Sequence, residues 1–187
     1  MRVGSIVLAS FFAALLPLQA DAQGTPEPPD YKMDHYRGPV PDTIAGGTVL
    51  DPEAAYELWR RGAAGFIDVL PQPPKPANLP EFTIWRDKPR DSIAGSIWLP
   101  NVGYGAIAEV TADYFRAGLE AASKGDKSNP VVLFCLEECW MSWNAAKRAI
   151  EWGYEAVYWM PDGTDGWSFF DYPVERVTPM EGQPQTQ

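Results

Sequence analysis

The chain has 187 residues, with 25 acidic against 15 basic side chains, a formal charge of −10 and only two cysteines. No lysine or arginine cluster breaks the acidic balance, which excludes nucleic acid and anionic membrane surfaces as partners and leaves positively charged ones. The length fits one domain.

Met1 and Arg2 give a positive start, and VGSIVLASFFAALLPL follows as an apolar run. At about 16 residues it falls short of the ~20 that a membrane span needs. Small residues at Ala20 and Ala22 precede Gln23, so residues 1–22 read as a cleaved signal peptide, with an uncleaved anchor as the alternative. The product is expected in the periplasm, with no membrane contact after cleavage. Cleavage removes Arg2 and Asp21, one charge of each sign, and leaves the mature charge at −10. In that compartment two nearby thiols form and keep a disulfide.

Residues 23–46, QGTPEPPDYKMDHYRGPVPDTIAG, are rich in proline and read as an extended arm that Tyr31, Tyr36 and Val40 pin to the body. From Gly47 the pattern is regular. GTVL is a strand, Asp51 and Pro52 cap and open a helix, and Gly62 stops it. GFIDVL is a buried strand. PQPPKPANLPEFTIWRDKPRD is a long loop, and GSIWLP is a strand. Thr111 caps a helix that runs to about Ser123, with Tyr114, Phe115, Leu119 and Ala122 inward. PVVLFC is a strand, a helix after it reaches Trp152, Gly153 ends that helix, and AVYWM is the last strand. Short apolar strands alternating with amphipathic helices predict an α/β fold, a central and mostly parallel sheet flanked by helices in three layers. The domain spans 47–177, and 178–187 reads as a flexible tail.

Functional residues in such folds lie beyond the carboxyl ends of the strands. Asp68 falls near one such end, the CLEECW loop at a second and PDGTDGW at a third. Cys135 therefore sits at the mouth of a candidate site, with Cys139 four positions on.

FIDVL, DSIAGSIWLP, VVLFC, SWNAAKRAIEWGYEAVYWMPDGTDGW and YPVE resemble rhodanese-like domains in order and spacing. The resemblance implies that Cys135 is the nucleophile at the end of a strand, ringed by loop N–H groups. The chain departs from that pattern in having Leu70 and Ser92 where arginine and histidine are usual, and its loop holds Glu137 and Glu138 in place of glycine and arginine. Met141 stands where a phosphatase of this fold needs its arginine. DHYRGPVPDTIAGGTVLD, the CLEECW loop and the signal peptide together resemble a narrower family of exported rhodanese-like proteins. That family is named for a Cys-x-x-x-Cys-Trp motif and associated with PQQ-dependent alcohol catabolism. The resemblance implies a periplasmic protein partner, one belonging to a PQQ-dependent dehydrogenase system.

Two carboxylates in the loop oppose both a thiosulfate dianion and a phosphate ester, so sulfur transfer from thiosulfate and phosphatase action are not expected. Thiol–disulfide or sulfur-relay chemistry at Cys135 and Cys139 fits better, because an attacking thiol needs a second one to resolve it. The N–H cradle makes Cys135 the expected low-pKa thiol. Trp140, Glu137, Glu138 and Asp68 are the candidate binding residues, with Asp68 either an acid–base group or an anchor of the loop backbone. The rival reading is a non-catalytic binding protein whose disulfide is a local staple. A further alternative is a Cu(I) chaperone using the pair with His35 and Met33. No resident metal and no cofactor are assigned. Trp152 and Trp159 are expected in the core.

Overall fold

The computed structural model describes residues 24–73, 76, 78–84, 86 and 88–184. Residues 1–22, expected to be a signal peptide, lie outside them, as do Gln23 and the last three residues.

Five strands form one sheet in the order β1 (Thr48–Val49), β6 (Val157–Met160), β5 (Val131–Phe134), β2 (Gly65–Asp68), β4 (Ile97–Trp98), and every pair is parallel. Four helices cover it: α1 (Pro52–Arg60), α2 (Glu109–Ala122), α3 (Trp140–Glu151) and α4 (Gly163–Phe169). This is the expected three-layer α/β architecture. Its cause is visible along β5, whose residues belong to opposite faces by the period of two. Val131 and Leu133 enter one core with Phe115 and Leu119 of α2 and Trp143 of α3, and Val132 and Phe134 enter the other with Ala55 of α1 and Trp167 of α4. A strand buried on both sides has no polar alternation to show, so VVLF reads as one apolar run.

Helix ends follow local chemistry. Asp51 accepts the Ala54 N–H at 2.7 Å and Pro52 opens α1, where its missing N–H has no helical partner to lose. Gly153 takes φ +84° just past α3, a left-handed value that suits glycine. The start of α2 differs from expectation. Ala108 is the N-cap and makes no side-chain cap bond, and Thr111 lies inside the helix, its N–H donating to the Ala108 carbonyl.

Two elements escape the sequence pattern. An antiparallel ribbon pairs β3 (Arg90–Ile93) with β7 (Val174–Val177), and α4 occupies the glycine- and aspartate-rich stretch PDGTDGW. Within the stretch expected to be a flexible tail, Met180 meets the body. Met180 donates its N–H to the Trp98 carbonyl, and its own carbonyl accepts the Tyr114 hydroxyl at 3.0 Å. Trp159 is fully buried as expected, but Trp152 is only half-buried and packs at a tilt on Phe115 under the Arg116 guanidinium.

Candidate functional site

β5 delivers Cys135 into the core at the carboxyl edge of the sheet, with 0% of it exposed. The chain then curls through Leu136, Glu137 and Glu138, the last with φ +50°, and returns Cys139 as the N-cap of α3. The N-terminal turn of α4 backs the curl. The Thr164 N–H donates to the Cys135 carbonyl at 3.0 Å, and the Glu137 N–H to Asp165 at 2.8 Å. Gly163 sits at φ +53° against the loop backbone, and a Cβ there would lie 2.5 Å from the Cys135 carbonyl oxygen. No other residue fits at that place.

The two sulfurs lie 2.6 Å apart, and no disulfide joins them. Their environments differ. The hydrogen bond with Cys135 pulls the Cys139 thiol down to about 6; the N–H groups of Met141 and Leu136 and the Arg37 guanidinium pull the same way against burial. Burial pushes the Cys135 thiol well above the usual range, and the hydrogen bond with Cys139 and the nearby charges of Cys139 and Asp68 add to the push. These directions run opposite to the expected order of acidities. The reason is positional. Cys135 directly follows β5 and is sunk in the core, whereas Cys139 stands at a helix N-terminus, where free N–H groups favour negative charge.

Asp68 is not a wall of the sulfur pocket. It shares the face of Phe66, is fully buried, and accepts from Arg90 Nε at 2.7 Å, Ser92 Oγ at 2.6 Å and the Leu70 N–H at 2.8 Å. Burial pushes its carboxyl up, against the pull of Arg90, Ser92 and Leu70. It anchors the backbone after β2 at Leu70, not the loop of Cys135 and Cys139. Arg90 continues the chain of contacts, its Nη2 donating to Thr164 Oγ1 at 3.2 Å, next to the Cys135 carbonyl. Sequence reasoning missed Arg90. An aspartate inside an apolar strand requires a buried cation, and Arg90 in the long loop was the signal.

Glu137 and Glu138 are exposed and turn away from the buried sulfurs. With Asp42, Asp162, Val40 and Pro161 they line an acidic cleft of about 470 Å³. A second cleft, about 290 Å³, lies between the ends of β2 and β5, where the order of strands reverses; Leu70, Lys88, Arg90, Trp98 and Leu136 line it.

The arm closes the site. Arg37 pairs with Cys139 in an antiparallel bridge, flanked by the Gly38 N–H on the Glu138 carbonyl at 3.1 Å and the Trp140 N–H on the Tyr36 carbonyl at 2.9 Å. Trp140 is buried under the arm rather than lining an open pocket. Its ring packs edge-on against Trp143 and its Nε1–H donates to the Pro39 carbonyl. Asn144 accepts the Lys32 N–H and donates to the Lys32 carbonyl, both at 2.9 Å, and Arg148 lies over the Tyr31 ring. Tyr36 and Val40 pack on the core, so the three expected pins are in place. His35 and Met33 are exposed on the outside of the arm, and among the described residues no three histidine, cysteine or carboxylate side chains gather around a common point.

No family model matches the chain, and no curated protein matches it. Among solved structures it is similar to a thiosulfate sulfurtransferase from Pseudomonas aeruginosa at 18% identity and TM-score 0.46, covering 71% of this chain and 21% of that one. It is similar to a rhodanese-like domain from Anabaena at 15% identity and TM-score 0.46, covering 72% of this chain and 81% of that one. It is also similar to the polysulfide-sulfur transferase homodimer of Wolinella succinogenes at 19% identity and TM-score 0.44, covering 70% of this chain and 80% of that one. At these values the likeness assigns the chain to no activity.

Proposed function

We propose that this is a periplasmic, rhodanese-fold accessory protein of PQQ-dependent alcohol oxidation that works by thiol–disulfide exchange at Cys135 and Cys139. The observation that carries the chemistry is the sulfur pair itself, 2.6 Å apart with opposed acidities. The periplasm and the PQQ system rest on the sequence resemblance alone.

In this reading the Cys139 thiolate attacks one sulfur of a partner disulfide. The S–S bond breaks, its other sulfur leaves as a thiolate that takes up a proton, and a mixed disulfide forms. Cys135 then gives up its proton and attacks the Cys139 sulfur, closing the Cys135–Cys139 disulfide and releasing the second partner thiol. Two electrons pass to the partner, and the reverse sequence oxidises it. The high pKa of Cys135 suits a resolving thiol, which holds its proton until the Cys139 charge is discharged by bonding. In a sulfur relay the same thiolate attacks a sulfane sulfur of a polysulfide, the adjacent S–S bond breaks, the shortened polysulfide leaves, and Cys139 carries the sulfur as a persulfide.

The rival, a binding protein with a structural disulfide, is favoured by the burial of both sulfurs, 0% and 2% exposed. The test is reaction of reduced Cys135→Ala and Cys139→Ala proteins with glutathione disulfide, read by intact mass. Exchange predicts a stable glutathione adduct on Cys135→Ala and none on Cys139→Ala. No adduct on either removes the exchange reading, and one extra sulfur atom after polysulfide treatment marks the relay.

A further inference from the structure

We propose that the partner docks as an extended, cysteine-bearing segment that replaces residues Tyr36–Gly38 along the Cys139 backbone, setting its own sulfur where Arg37 now stands. The inference deepens the exchange reading and rests on it.

The bridge has a specific form. Hydrogen bonds run from Gly38 to Glu138 and from Trp140 to Tyr36, on either side of the Arg37–Cys139 pair and not between them. Such a non-hydrogen-bonded antiparallel pair holds its Cα atoms at about 4.5 Å and its side chains closest together. That falls within the ~4.4–6.8 Å over which a disulfide closes without backbone movement. A cysteine at the place of Arg37 thus faces Cys139 in mixed-disulfide geometry. The Trp140 N–H and Glu138 carbonyl, which the arm now satisfies, offer a main-chain donor and acceptor to any extended segment, whatever its side chains. The positions beside the bridge leave room. Arg37 is exposed, and a Cβ at Gly38 would meet nothing within 4 Å, although φ +143° there favours a glycine after the segment's cysteine. With the arm in place Cys139 is 2% exposed, so the same backbone groups that guide the partner slow the reaction of the thiolate with other disulfides. Arg37 also lowers the Cys139 pKa, so the docked arm favours the thiolate.

The step balances as ordinary exchange. The Cys139 thiolate bonds to the segment's cysteine sulfur, the segment's disulfide breaks, and its other sulfur leaves as a thiolate that is protonated by water.

The probes are two short extended peptides, each with a central cysteine in mixed disulfide with thionitrobenzoate. One is unmodified; the other is N-methylated at the residue after the cysteine, the place of Gly38. Both are reacted with reduced, full-length mature Cys135→Ala protein, and with free glutathione to set the intrinsic rates equal. The expected result is slower reaction of the methylated peptide, roughly fivefold for one backbone hydrogen bond. Loosening the arm by Tyr31→Ala is expected to speed the unmodified peptide several-fold with an unchanged circular dichroism spectrum. Equal rates for the two peptides overturn strand docking and leave the exchange reading intact. No reaction of either peptide, with or without Tyr31→Ala, overturns both.

Discussion

At the scale of single residues, the site turns on which sulfur holds the charge. A thiol whose pKa is lowered is ionised above the lowered value, so Cys139 carries a thiolate from about pH 6 upward. The ultraviolet thiolate absorbance of the reduced protein is expected to rise first near that pH. Cys139→Ala removes that phase and leaves Cys135 ionising above the ordinary ~8.5 of cysteine. Cys135→Ala shifts the phase upward, because it deletes the largest pull on Cys139. A phase near pH 6 that survives Cys139→Ala contradicts the assignment. Asp68 offers a second test. In Asp68→Asn the amide turns a donor towards Arg90 and leaves a guanidinium 8% exposed without its counter-ion. Breaking a buried pair in this way costs about 3–5 kcal/mol, read as a loss of stability in denaturant. A cost under about 1 kcal/mol means that Arg90 finds another partner.

Among elements, α4 has more to do with the site than its seven residues imply. Its Gly163 and Thr164 hold the backbone of Cys135, so Gly163→Ala is expected to cost at least ~1–2 kcal/mol from the left-handed backbone alone. Displacement of the curl is expected to move the thiolate phase as well; a stable variant with an unchanged titration separates α4 from the site. This helix was hidden in the sequence because PDGTDGW carries turn residues, and the contacts that make it helical come from Cys135, Leu136 and Pro52, distant in sequence. The β3–β7 ribbon was hidden for a related reason. RDSI and VERV are short and half-charged, and each pairs across about 80 residues of chain. By contrast the five parallel strands and α1 were legible, since apolar runs and an Asp-Pro start are local signals. The pair Cys135 and Cys139 was legible too. Their relative acidity was not, because it depends on Arg37, Asp68 and the start of α3 meeting in space.

Over the whole molecule, the arm is part of the fold rather than a leader to it. It supplies the strand that seals Cys139 and the carbonyls that Trp140 and Trp143 bond. The acid rim of Glu137, Glu138 and Asp162 lies outside this seal, and the loop itself brings no cation. Turnover of thiosulfate with cyanide is accordingly expected below ~1 per second, the low end of ordinary enzymes, and a value well inside that range contradicts the reading.

The most direct measurement of exchange at Cys135 and Cys139 is the reduction potential of the pair, from equilibration of the mature protein in graded thiol–disulfide buffers with acid trapping and mass readout. The exchange account predicts a potential well above about −300 mV, where structural disulfides end and labile ones begin. A value below that limit makes the bond a staple and contradicts the account.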